Sequence, residues 1–363
     1  MKQKKKKKSN KLNLIICGIA FLVMVLYIVF VDGVDNLLNS IQQFNVGFLL
    51  IAALFMVAYW LLEAIGLHAA LKSIHPEQKF WKTLVVAMLG QYFNCITPSS
   101  SGGQPMQVYY FAKFGTPVSH SMTALLSKFI VYQFVLTIYC AVVLILRFNS
   151  FASEFAPLMA LVVLGFIINT AVIVLLLMVA FTKRPVKKLA FWGIRVLGKL
   201  KILKTQECVE EKIEQVDNII EDYHDNFCFI KSKPGLIIRM VLYTILQLTI
   251  YFAISYVIFL GFGLSGTDLF TIISCQAFVL MISAFMPLPG AMGAAEGSYA
   301  AFFGKIFGKF TSFSTFIWRF LTFYFPIIVG LILSLFVGKM MDTSEDDHKL
   351  TNLDIDDIKG DEV

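Results

Sequence analysis

Apolar residues along this chain do not alternate with polar ones but run on unbroken for many turns. Stretches long enough to cross a hydrocarbon core, about 20 residues, lie at roughly 13–31, 46–70, 119–147, 155–181, 236–260 and 314–338. Two further apolar runs, 83–97 and 268–286, are shorter and end in a break, and each is followed by a second short piece, 104–113 and 292–304. The first break reads QYFNCITPSSSGGQPM over Gln91–Met106, and the second reads FMPLPGAMGAAEG over Phe285–Gly297. Proline removes a backbone donor, and glycine lets the chain leave helical geometry. At membrane depth, freed backbone groups cost several kcal/mol each unless protein or water meets them. The pattern predicts re-entrant helical hairpins at 83–113 and 268–304, turning at Pro98–Gly103 and at Pro287–Gly293. Two such interruptions, one in each half, point to a transport site between repeats.

The polar remainder divides the chain. Residues 1–12 form a basic N-terminus, 13–182 the first membrane half, 183–234 a polar insertion, 235–339 the second half and 340–363 an acidic tail expected to be disordered. Within the insertion, Val186–Leu203 mixes Lys and Arg with Leu, Ile and Trp192, as in an amphipathic helix lying on the inner leaflet. Val209, Ile213, Val216, Ile220, Tyr223 and Phe227 then recur at steps of three and four, which gives one apolar face on a charged helix suited to a packing arm.

Composition narrows the class. The 363 residues are 58% hydrophobic and only 15% charged, with a mean hydropathy of +0.74; soluble domains carry about 25% charged residues. The chain reads as an all-α polytopic membrane protein with six spans and two re-entrant hairpins in an inverted repeat. The 35 Phe suit a lipid-facing surface. Six scattered cysteines without a CxxC pair argue against a disulfide framework or a zinc site. The net charge of +7 is concentrated at Lys2–Lys11 and at 183–204. With the N-terminus inside, the six-span topology places these clusters, Lys72, Lys79, Lys82, Lys113 and Lys339 on the cytoplasmic side and leaves only Arg147, Lys305 and Lys309 near the outer face. Both termini are then cytoplasmic. Eight full spans also return the tail to that side, but they put Lys113 and the 183–204 cluster outside. Residues 12–31 lack a small-x-small cleavage site and read as a retained span of a cell-membrane protein.

Ionisable groups within the apolar segments are few: Glu63, His68, Lys128, Arg239, Glu296 and Arg319. Each costs about 2.5–3.5 kcal/mol at mid-bilayer, so such groups face a cavity or a partner. Arg239, near a span end, is expected to snorkel. Lys128, Arg319 and free N–H groups of Ser99–Gln104 and Gly290–Gly293 could receive a phosphate, and Glu63 and Glu296 could pair those cations or meet a cationic headgroup. The polar residues Asn94, Thr97, Ser99, Ser100, Ser101, Gln104 and Gln107 surround Pro98, Gly102 and Gly103 at the first break; Gln133 lies beyond Lys128, and Pro287, Pro289, Gly290 and Gly293 shape the second break. Together they sketch a hydrated path for an amphiphile. The bland alternative is structural ion pairs and helix–helix glue. No GxSxG, HExxH, P-loop, GxGxxG or HxxxxD pattern occurs, and the five His do not cluster, so no catalytic residue, metal, cofactor or nucleic-acid partner is expected.

The stretch LGQYFNCITPSSSGGQPMQVYYFAKFG at 89–115 and the stretch FMPLPGAMGAAEGSYAAFF at 285–303 resemble the paired signatures of the lysylphosphatidylglycerol synthase transmembrane family, which includes the flippase-like membrane domain of the multiple peptide resistance factor. The resemblance covers about 13–338 and implies two re-entrant hairpins and translocation of a phospholipid or aminoacyl-phospholipid between leaflets. Many relatives carry an acidic and a basic residue where this chain has Gln104 and Gln107, which opens the question of headgroup. Complete aminoacyl-phospholipid synthases resemble the chain only in their membrane half, and with no soluble domain expected here, lysyl transfer by this chain alone is not expected. Two alternatives stay open: a phosphatidylglycerol lysyltransferase, as the family name suggests, and a non-transporting partner of a separate lipid synthase docked through the 183–233 arm. Membrane lipids are the expected partners, and an oligomer is left open.

Overall fold

The computed structural model describes residues 33–181 and 232–337, save 154 and 285, together with scattered positions between 182 and 231 and with Gly18 and Leu22. The expected first span, the basic N-terminus 1–12 and the acidic tail 340–363 lie outside the described residues, apart from those two positions in the span.

Among the described residues the regular elements are helical. They are α1 (Val34–Gln43), α2 (Val46–Lys72), α3 (Phe80–Ile96), α4 (Gly103–Lys113), α5 (Val118–Ala152), α6 (Ala156–Phe181), α7 (Pro234–Gly261), α8 (Leu269–Ser283), α9 (Ala294–Phe307), α10 (Thr311–Arg319) and α11 (325–337), with a π-helical turn, Phe320–Tyr324, joining the last two. Five stretches are long and apolar enough to cross a membrane: Val46–Lys72, Val118–Asn149, Pro157–Leu175, Pro234–Gly261 and Ala294–Val337. They fall on five of the six runs expected from the sequence. The fifth stretch differs from the plain span expected at 314–338. It takes in α9, bends through a short 3-10 turn at Gly308–Phe310 and carries the π turn.

Local chemistry sets several helix ends. The Asn45 side chain accepts from the Gly47 amide at 2.9 Å and caps α2, which satisfies one of the N–H groups that a helix start leaves open. Pro234 opens α7, where its missing donor costs nothing. Asp268 caps α8 by accepting from the Thr271 amide at 3.0 Å and the Thr271 hydroxyl at 2.6 Å. The Thr271 hydroxyl holds the Asp268 carboxyl below the usual carboxylate range; burial opposes it, and the Thr271 amide and nearby Arg147 add to the lowering. α1 has no counterpart in the sequence reading: its Val34, Leu38 and Ile41 form an exposed apolar stripe. In the insertion, Lys187 pairs with Asp217 at 2.6 Å and Glu221 at 2.8 Å, linking positions in the two expected polar helices.

The order of elements repeats. A long helix (α2), a broken pair (α3, α4) and a second long helix (α5) are followed, after α6 and the insertion, by a long helix (α7), a broken pair (α8, α9) and the α10–α11 unit. α2 and α7 share the largest interface among the described elements. α3 packs against α2 as α8 packs against α7, and the members of each broken pair pack on one another. α5 leans on α2, α4, α6, α7 and α8. Aromatic stacking fills the second half, with Tyr299 between Phe303 at 4.2 Å and Trp318 at 4.6 Å between ring centroids. Outward-facing Leu50, Leu54, Ile145, Leu146 and Leu335 remain exposed, as a surface solvated by lipid requires.

Candidate functional site

Both breaks fold into tight, self-satisfied loops. In the first, Thr97 Oγ1 donates to the Phe93 carbonyl at 2.6 Å and accepts from the Gly102 amide at 2.9 Å. Asn94 Oδ1 accepts from the Gly103 amide at 3.1 Å, and the Asn94 side chain fills the space a Cβ on Gly103 would need. The Ser100 and Ser101 amides donate to the Thr97 and Pro98 carbonyls, each at 3.2 Å. In the second break, the Ala291 amide donates to the Leu288 carbonyl at 3.0 Å, the Met292 amide to Pro289 at 3.4 Å, and the Gly293 amide to Glu296 Oε2 at 2.7 Å. The expectation of free N–H groups across Ser99–Gln104 and Gly290–Gly293 is therefore corrected at seven positions, whose amides the loops use themselves. The reason is the cost of leaving backbone groups unpaired.

The compact turns force strained backbone. Ser99 and Ser100 sit at φ of 51° and 52°, and Ala291 at 53°. Each non-glycine residue in this region costs about 1–2 kcal/mol, and such strain gathers at functional sites. Gly290, at φ 56°, packs against the Phe323 ring so closely that no Cβ would fit. The tips of the two breaks meet: Pro98 and Pro289 form an antiparallel backbone bridge. Corresponding points of the two broken pairs therefore touch.

A cavity of about 660 Å³ opens beside this junction. Of the residues singled out from the sequence, Glu63, Asn94, Ser99, Ser100, Ser101, Gln104, Gln107, Lys128, Gln133, Gly290 and Arg319 line it. Thr97, Pro98, Gly102, Gly103, Pro287, Pro289, Gly293 and Glu296 do not; most of them shape the loops behind the wall. His68 is away from the cavity, bonded to the Thr83 hydroxyl at 3.2 Å. Arg239 is exposed and donates to its own helix at the Gly235 carbonyl.

The buried charges are paired. Lys128 on α5 forms an ion pair with Glu63 on α2, and Gln247 on α7 donates to the same carboxylate at 2.6 Å. Three helices thus converge on one carboxyl group. On the other side, Arg319 pairs through Nε with Glu296 at 2.6 Å and donates to the Gly290 carbonyl at 2.5 Å. One guanidinium therefore holds the second loop at two points, and Glu296 also caps α9. Arg319 is buried beside the loop, with its guanidinium over the Phe323 ring at 4.2 Å, and the π turn begins at the next residue. π turns place side chains out of helical register and recur at functional sites. Gln133 donates to Asn169 at 2.7 Å, and Asn169 donates to Thr137 at 2.9 Å, extending the polar wall onto α6.

Sequence reasoning missed the aromatic part of the wall. Tyr59, Tyr132, Tyr251 and Phe323 line the cavity. The first two and the last sit one helical turn, four residues, from Glu63, Lys128 and Arg319, a spacing that places them on the charged residue's face. Asn169, which with Thr170 interrupts the apolar run of α6, was a second signal passed over.

A family model described as the lysylphosphatidylglycerol synthase TM region matches residues 15–330, nearly the whole membrane part. The chain belongs to that family. It is a multi-pass membrane protein. The chain is also similar to a UPF0104 membrane protein of Archaeoglobus fulgidus, with 23% identity over 299 residues that span 81% of this chain and 88% of the relative. Within this member of the lysylphosphatidylglycerol synthase TM region family, the two broken stretches meet beside the cavity, at Pro98 and Pro289.

Proposed function

We propose that this protein moves an amphiphilic lipid, a phospholipid or an aminoacyl-phospholipid, between the leaflets of the cell membrane. The two broken helix pairs act as re-entrant hairpins that dip from opposite faces in an inverted repeat, with both termini cytoplasmic. The observation that carries this reading is the antiparallel contact of Pro98 with Pro289 beside a polar cavity bearing two buried ion pairs. An antiparallel pairing of corresponding points is what two hairpins related by a two-fold axis in the membrane plane would make. A volume of about 660 Å³ suits a headgroup. It cannot also hold two acyl chains, so the chains stay in the bilayer while the headgroup crosses.

The test is a leaflet-flip assay on purified protein in vesicles, with fluorescent lipids of several classes. Acceleration over empty vesicles is expected. Glu296→Gln and Lys128→Ala, produced at normal levels, should slow it. No acceleration for any lipid class would end the proposal.

A further inference from the structure

The cavity is charge-neutral as built. Among the described residues, its lining bases are Lys128 and Arg319 and its lining acid is Glu63, with Glu296 directly behind Arg319. Every base has its acid. The four side chains are between 6% and 22% exposed, so water screens them little. A headgroup carrying only a phosphate adds a negative charge and can displace a carboxylate from its base only by leaving that carboxylate buried and unpaired, the costly outcome for an ion pair. A headgroup with an excess of ammonium leaves a cation unpaired by the same arithmetic. A headgroup holding one phosphate and one ammonium exchanges pairs and leaves none broken.

Resting on the flippase reading above, we propose that the transported lipid has a net-neutral headgroup with one phosphate and one ammonium. The side chains divide that work between them. Arg319 donates through Nη2 to Gly290 and faces Glu296 across an ion pair, which leaves guanidinium N–H groups for phosphate oxygens. Glu63, steadied by Gln247 at 2.6 Å, receives the ammonium. The Lys128 ammonium it displaces turns to the phosphate, keeping every charge paired. The rings of Tyr59 and Tyr132 line the cavity with Glu63 and Lys128, and Lys128 already lies 5.9 Å from the Tyr132 ring centroid; the resident ammonium marks a place where a ligand cation gains from aromatic faces. Phosphatidylethanolamine and a singly charged aminoacyl lipid such as alanyl-phosphatidylglycerol share this chemistry.

The experiment reconstitutes the full chain in one carrier membrane with tracer amounts of labelled phosphatidylethanolamine, alanyl-phosphatidylglycerol, phosphatidylglycerol or lysyl-phosphatidylglycerol, and reads ratios of flip rates. The two net-neutral tracers should cross about tenfold faster than the net-charged ones, and the faster of the two identifies the source of the headgroup. Glu63→Gln, which leaves the cavity one charge positive, should shift the ratio toward phosphatidylglycerol. Lys128→Met, which leaves it one charge negative, should shift the ratio toward lysyl-phosphatidylglycerol. The double variant, neutral again and free of an unpaired charge, should restore the parental order and guards against a folding artefact. A parent that prefers either charged tracer, or ratios that no variant moves, overturns the proposal while leaving flipping intact; no acceleration of any tracer overturns flipping itself.

Discussion

Breaking the Glu63–Lys128 pair from one side should cost far more than removing it whole. The two side chains are 13% and 9% exposed, too buried for solvent to replace a lost partner. Glu63→Ala leaves the Lys128 ammonium unpaired and strips the Gln247 amide of its acceptor. Loss of one member of a buried pair costs about 3–5 kcal/mol, and the orphaned amide adds about 1–3 kcal/mol. Lys128→Met is milder, because the Glu63 carboxylate keeps the Gln247 donor at 2.6 Å. The double variant carries no buried charge at this point and keeps only the cost of the orphaned Gln247 amide, so its stability should lie within about 1–3 kcal/mol of the parent, and the coupling between the two sites should exceed about 2 kcal/mol. The measurement is a double-mutant cycle on equilibrium unfolding in detergent, followed by tryptophan fluorescence. Additivity within about 0.5 kcal/mol would show that the two side chains do not depend on each other and would remove the basis for any charge-exchange argument in the cavity.

Two further outcomes follow from the loops and the outer clasp. Gly290→Ala combines a left-handed backbone, φ 56°, with a Cβ driven into the Phe323 ring, whereas Gly263→Ala at φ 65° meets nothing within 4 Å; the first should lose about 1–3 kcal/mol more than the second, and equal melting temperatures for the two variants would mean that Phe323 does not hold the loop. Asp268, whose carboxyl is held down chiefly by the Thr271 hydroxyl, should keep its cap and its contact with Arg147 throughout neutral and mildly acid conditions. A depressed carboxylate contributes stability above its unfolded value of 3.8 and loses it as pH falls through the lower folded value, so protection of the Thr271 amide in hydrogen exchange should hold at pH 5 and fade only below about 4; a loss already at pH 5–6 would contradict the assignment.

The spans were legible because lipid imposes a length and a composition on them, and five of the six expected runs coincide with long apolar helices. The two breaks were legible because Pro98, Pro289 and the neighbouring glycines have no place in an uninterrupted helix. What the breaks do with their backbone was not legible. Whether the Gly102 amide stays free or finds Thr97 depends on a single side-chain torsion, and composition is silent about torsions. The pairing of Glu63 with Lys128 joins residues on separate helices, α2 and α5, and required the packing of both. The π turn after Arg319 left no trace, since FLTFY at 320–324 reads as ordinary helix. It shows only when the last helix must present both Arg319 and Phe323 to the same loop.

The strained positions are not scattered. Ser99, Ser100 and Ala291 lie in the two breaks, Gly290 lies between Arg319 and Phe323, and the π turn follows Arg319 directly. The long α2–α7 interface, by contrast, contains none of these features. Strain of about 1–2 kcal/mol per residue persists only where surrounding contacts hold it, and here the contacts that hold it are few and nameable: the Pro98–Pro289 bridge, the Arg319 clamp on Gly290 and the Glu296 cap on Gly293. Arg319 is the shared member, because the same guanidinium that holds the second loop also faces the cavity. A phosphate meeting the remaining donors of Arg319 would engage the guanidinium that also holds Gly290 and Glu296, so headgroup binding and the hold on the loop share one side chain. On the flippase reading, that shared side chain is the physical link between occupancy of the cavity and movement of the hairpins.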